Sequence, residues 1–78
     1  MPDFLFLDNA IMRCLDNHRG PHPSNDEGCM EVATKLTAHM RLTPQELIDK
    51  RLQALRRKNA VIYDQRARRW RINDAVRH

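Results

Sequence analysis

Thr43-Pro44-Gln45-Glu46-Leu47-Ile48-Asp49-Lys50-Arg51-Leu52-Gln53-Ala54-Leu55-Arg56-Arg57-Lys58-Asn59 is the stretch whose reading decides the fold. Its start carries three helix signals at once. Thr43 can cap the first turn, Pro44 stands where a missing N–H costs nothing, and Glu46 completes a capping box. Ile48, Leu52 and Leu55 fall within a roughly 60° sector of a helical wheel and form the core-facing stripe. Thr43, Glu46, Lys50, Gln53 and Arg57 take the opposite side, with Asp49 at its edge. The spacing predicts a helix over about 44–58, ended by Asn59, the non-glycine residue best suited to a left-handed cap.

Beyond that helix, Val61-Ile62-Tyr63 and Arg69-Trp70-Arg71-Ile72 have strand composition. Alternation in the second run points Trp70 and Ile72 one way and Arg69 and Arg71 the other. The link between the runs is short enough for a hairpin over about 61–73, although it lacks an Asn-Gly turn signal. Trp70 is expected to pack on the main helix, its indole serving the core in preference to stacking on bases. A short polar tail, 74–78, follows.

Upstream, Phe4, Leu7, Ile11, Cys14 and Leu15 recur at helical spacing and predict a first helix over about 3–18. Asp3 would cap its start and Gly20 its end, with Pro21 beyond. The alternative is a strand at Phe4–Leu7 with the helix starting after Asp8. Gly20-Pro21-His22-Pro23 is an extended break, with scope to pair to the later hairpin. Ser24 and Glu27 then offer a second capping box for a helix over about 25–38. Its buried side would carry Met30, Val32, Ala33, Leu36 and Met40, and Gly28 would weaken it.

These elements belong to a single 78-residue domain, 41% hydrophobic and 31% charged. That composition suits a folded domain and excludes a disordered tail. No apolar run is long enough to span a membrane, and the apolar start lacks the basic leader of a signal peptide, so a cytoplasmic protein without membrane contact is expected. Charge is divided unevenly. Residues 1–40 carry three basic and six acidic side chains, and residues 41–78 carry eleven and four, giving −3 and +7 within the net +4. All the excess positive charge lies with the main helix and hairpin, the footprint expected for a polyanionic partner. The bland reading of Arg66–Arg71 is a solvated strand face that protects a sheet edge.

Cys14 and Cys29 match no common zinc or redox spacing, and two reduced, buried thiols are expected, with a disulfide as the alternative. Cys14, His18, His22 and Cys29 could be assembled into a metal set, but Cys14 fits the apolar stripe. No metal, cofactor or enzymatic activity is therefore expected, since no motif gathers thiol, histidine and acid.

The order helix, extended break, helix, tight turn, helix, hairpin resembles a winged helix-turn-helix domain. Val32-Ala33-Thr34-Lys35-Leu36 is similar to the second helix of small bacterial and phage regulators of that family. Ile48 to Val61 is similar to their recognition helix and its exit, with Asn59 where the pattern has glycine. The resemblance covers about residues 4–73. It implies an α+β, mainly α fold, three helices with a C-terminal β-hairpin wing. It also implies double-stranded DNA binding in transcription regulation, sequence-specific or architectural, with dimerisation or tandem binding. Thr43, Gln45, Lys50 and Gln53 would then face a major groove. Arg66, Arg68 and Arg69 would meet phosphates or the minor groove from the wing, supported by Arg71, and Arg57 would act from the helix end. Glu46 and Asp49 oppose phosphate contacts at that face. The rival class is a protein-binding winged helix, an adaptor or inhibitor acting on an acidic partner.

Overall fold

A computed structural model describes residues 4–16 and 22–73. Helix α1 (Leu5–Asp16) leads to a 3-10 turn (Pro23–Asn25), helix α2 (Glu27–Thr37) and helix α3 (Pro44–Arg57). Strands β1 (Val61–Asp64) and β2 (Arg69–Ile72) complete a mainly helical α+β layout. The expected caps Asp3 and Gly20, together with Pro21, His18 and the tail 74–78, lie outside the described residues.

Phe4–Leu7 is not a strand, because α1 starts at Leu5 and the Asp8 N–H donates to the Phe4 carbonyl at 2.8 Å. The stripe expected from the spacing is the one buried: Leu7, Ile11, Cys14 and Leu15, with Phe4 packed at its edge. These side chains meet Leu47, Ile48, Leu52 and Leu55 of α3, so the core is built where two apolar faces cross. A guanidinium locks the crossing. Arg51 donates to both carboxylate oxygens of Asp8, at 2.8 and 2.7 Å, and lies 4.8 Å over the Phe4 ring. The two paired side chains are only 18% and 17% exposed. The Asp8 hydrogen bonds raise the Arg51 pKa further above its ordinary value.

The start of α2 differs from the expected Ser24–Glu27 box. Pro23 enters a 3-10 turn capped by His22, whose Nδ1 accepts from the Ser24 N–H at 3.1 Å and lies 2.7 Å from the Ser24 hydroxyl. With Ser24 so engaged, Asp26 becomes the cap, accepting from the Cys29 N–H at 2.9 Å. The end of the break therefore coils at Pro23–Asn25, and among the described residues the sheet has two strands. The buried side of α2 is also rotated from expectation. Cys29, Ala33 and Thr37 form it at i, i+4, i+8, while Met30, Val32 and Leu36 flank it half-buried. Met40 lies beyond the helix. The Thr37 hydroxyl tolerates burial by donating to the Ala33 carbonyl at 2.8 Å.

Helix α3 ends as its sequence foretold, in a left-handed Asn59 with φ 62°. The Ala60 N–H donates to the Leu55 carbonyl at 2.9 Å and the Asn59 N–H to that of Arg56 at 3.0 Å, a Schellman turn. The hairpin then pairs Val61 with Ile72 and Tyr63 with Trp70 on its inner face. Trp70 is buried and meets the Tyr63 ring edge-on, with centroids 5.3 Å apart. The backbone of β1 neighbours α3, and that of β2, which carries Trp70, neighbours α1, with Trp70 in the one core cluster that both helices share. In an antiparallel hairpin only one strand can follow directly on the helix end, and that place goes to β1.

Two stability measurements check this description. Asn59→Ala should cost about 1 kcal/mol in urea unfolding, the strain of a β-carbon at positive φ, whereas Asn59→Gly should cost little or nothing. An equal loss from both would mean that the asparagine side chain, not the backbone, matters. A double-mutant cycle on Asp8→Ala and Arg51→Ala should return a coupling of about 2 kcal/mol, as expected for charged hydrogen bonds shielded from water. Additive effects would rule the pair out as a fastening.

Candidate nucleic-acid interface

Helix α3 presents a polar face built from its first turn onwards. Thr43, its N-cap, accepts from the Glu46 N–H at 3.2 Å, and its hydroxyl lies 3.2 Å from Glu46 Oε1. Thr43 and Glu46 thus satisfy each other, which commits the threonine hydroxyl to the cap and accounts for one of the two acids on this face. Gln45, Lys50, Gln53 and Arg57 are all exposed, as are Asp49, Arg56 and Lys58. Arg51, at the centre of the same helix, turns inward to Asp8, which neutralises its charge.

The hairpin tip is more constrained than its sequence suggested. Asp64 closes it by accepting from the Arg66 and Ala67 N–H groups at 3.0 and 3.2 Å, an Asx turn that replaces the missing Asn-Gly signal. Arg68 takes a left-handed conformation with φ 53°, after which Arg69 rejoins the ladder opposite Asp64. Arg66 and Arg68 are exposed at the tip, while Arg69 is half-buried. The other Asp64 oxygen lies 3.8 Å from Arg71 Nε, across the outer face of the hairpin. Arg71 is therefore partly neutralised, and the least encumbered cations of the hairpin are Arg66 and Arg68.

A cleft of about 280 Å³ opens beside this tip. Leu15, Pro23 and Trp70 supply apolar lining, and His22, Arg68 and Arg69 the polar lining. The sequence places His22 in a connector with scope to pair to the hairpin, but gives its imidazole no role beside arginines more than forty residues away. Asp64 was equally undervalued. Its signal was present as an acid at a strand end before a four-residue link, a position at which aspartate organises turns.

The expected site residues thus fall into two groups, one along the exposed side of α3 and one at the hairpin tip. Among the described residues no helix is long and apolar enough to cross a membrane. No family model, curated protein or solved structure matches the chain.

The left-handed arginine gives a test of the tip itself. Arg68→Gly should stabilise the protein by about 1 kcal/mol by relieving the β-carbon strain. Thermal or urea unfolding would measure it, and a destabilised variant would show that the side chain, not the backbone, sets the turn.

Proposed function

We propose that the chain is a winged helix-turn-helix protein that binds double-stranded DNA, a small regulator or architectural factor of bacterial or phage type. The observation that carries this reading is the hairpin tip, where Asp64 hydrogen-bonds the turn into one shape and leaves Arg66 and Arg68 exposed. A guanidinium held on an ordered turn suits phosphate recognition, because less side-chain and backbone freedom is lost on contact. The exposed Gln45, Lys50 and Gln53 supply the donor and acceptor groups that base edges require, glutamine for adenine and lysine for guanine or phosphate. Thr43 serves the cap in this scheme. Arg57, with its neighbours Arg56 and Lys58, adds phosphate contacts at the helix end. The wing fixes register and the helix reads sequence.

A protein-binding role is the second reading, and one observation favours it. Leu5 and Phe6 are 57% and 71% exposed on α1, adjacent apolar side chains of the kind that mark contact surfaces. A partner protein or a second copy of the chain would cover them.

Electrophoretic titration against random duplex DNA at two salt concentrations separates these readings. Contact with about six phosphates gives a log–log salt slope of roughly −5. Arg66→Ala with Arg68→Ala, both exposed and so removable without disturbing the core, should weaken binding and make that slope shallower by about 2. Absence of any mobility shift at low salt would overturn the DNA reading.

A further inference from the structure

Cys14 and Cys29 form no disulfide and are both buried, and they meet between α1 and the start of α2. Of the two histidines that the sequence offered as co-ligands, His22 does not join them, its ring being turned to Ser24, and His18 lies outside the described residues. A carboxylate joins them instead. One donor atom from each of Cys14, Asp26 and Cys29 lies within 4.8 Å of the others. We propose that these three residues form a binding site for a thiophilic divalent cation, Zn²⁺ foremost, that ties α1 to α2.

The separations suit such an ion. Zn–S bonds of about 2.3 Å and Zn–O bonds of about 2.1 Å set the edges of a coordination tetrahedron at roughly 3.5–3.8 Å. Even the widest separation the cluster permits closes onto that geometry with a shift of about 1 Å. The donor set of two sulfurs and one oxygen favours zinc or cobalt over magnesium or calcium, and leaves a fourth position for water. The carboxylate is already oriented. Asp26 Oδ2 accepts the Cys29 N–H at 2.9 Å, an outer hydrogen bond of the kind that aims a metal ligand. Gly28 keeps that place open, since a β-carbon there would stand 3.2 Å from Asp26 Oδ2.

Burial pushes both thiols above their ordinary pKa, Cys29 the more strongly because it also hydrogen-bonds the Asp26 carboxylate. The Cys29 hydrogen bond and Arg69 act in the opposite sense on Cys14. An incoming ion must therefore displace protons held in place. Protonated core cysteines are usually small hydrophobes among hydrophobes. Here an acid faces two of them. A divalent cation would displace one proton from each thiol and release both protons to solvent, so its affinity should rise with pH. The charge left on the cluster would be −1, beside Arg69. A staple between two helices is of particular use to a domain of this size, whose single core is small.

Anaerobic titration of the reduced full-length protein with Co²⁺ tests the site. The expected result is one ion per chain, with a thiolate-to-cobalt charge-transfer band in the near ultraviolet that Zn²⁺ removes. Cys14→Ala and Cys29→Ala should each abolish the band. Asp26→Asn keeps an oxygen for the α2 cap, so its circular dichroism should match wild type, yet its Co²⁺ affinity should fall at least about tenfold. A wild-type protein that gives no charge-transfer band, or an Asp26→Asn variant that binds Co²⁺ as wild type does, would overturn the proposal. Neither result bears on DNA binding, which the titration against duplex reads separately.

Discussion

The turn at Asn59 sets the relation between the two parts of the molecule that carry its positive charge. At that residue the chain leaves α3 with a left-handed backbone, and Ala60 returns its N–H to Leu55. The same short segment receives the far end of the hairpin. The Asn73 N–H donates to the Ala60 carbonyl at 3.0 Å, and the Asn73 side chain to the Asn59 carbonyl at 2.9 Å. One turn therefore ends the helix, starts β1 and anchors the chain just past β2. Without it, the register of Val61 against Ile72 could persist, but its direction relative to α3 would not be fixed. The carbonyls of the two residues just past the helix cap are used here to orient a hairpin.

Charge does two kinds of work in this chain, and they are divided between its ends. Of the eleven basic side chains in the second half, Arg51 is committed to the α1–α3 crossing and Arg71 is shared with Asp64. Neither can be counted at full value toward a polyanion. The acids are committed as well: Glu46 to the Thr43 cap, Asp64 to the turn and Asp8 to Arg51. The acids near the proposed interface are thus mostly local fasteners, and among the described residues Asp49 is the exception. A reading of net charge alone overstates both the attraction and the repulsion.

What could be read from the sequence was whatever depends on neighbours in the chain. The α3 cap, its apolar stripe, the left-handed Asn59 and the alternation of β2 are all decided within a few residues, and each is found where the pattern placed it. The misreadings share one cause. Ser24 and Asp26 are both good caps, and the choice falls to Asp26 because Pro23 and His22 first coil the chain. Cys29 and Thr37 lie on the buried side of α2 because that side is set by α1 and α3, while the stronger hydrophobes Met30, Val32 and Leu36 remain at its margins. Trp70 is in the core, as the alternation of β2 implies, and its strand runs beside α1. At the proposed interface Gln45, Lys50, Gln53, Arg57, Arg66 and Arg68 are exposed, whereas Arg69 is half-buried and Arg71 lies against Asp64, a difference set by strand pairing that local spacing does not carry.

The pairing of Arg51 with Asp8 shows why such long-range choices escape local patterns and still govern the fold. Forty-three residues separate the partners, and each looks like an ordinary surface charge within its own helix. Brought together, they are largely shielded from water and make two short hydrogen bonds, a geometry only a planar guanidinium supplies. An apolar crossing of α1 on α3 would hold the helices together but tolerate sliding between similar leucine contacts. The fork–carboxylate pair is satisfied in one alignment only, and every other alignment leaves a desolvated charge unpaired. Specificity of the crossing then propagates outward. It sets where Cys14 stands relative to α2, and where β2 finds α1.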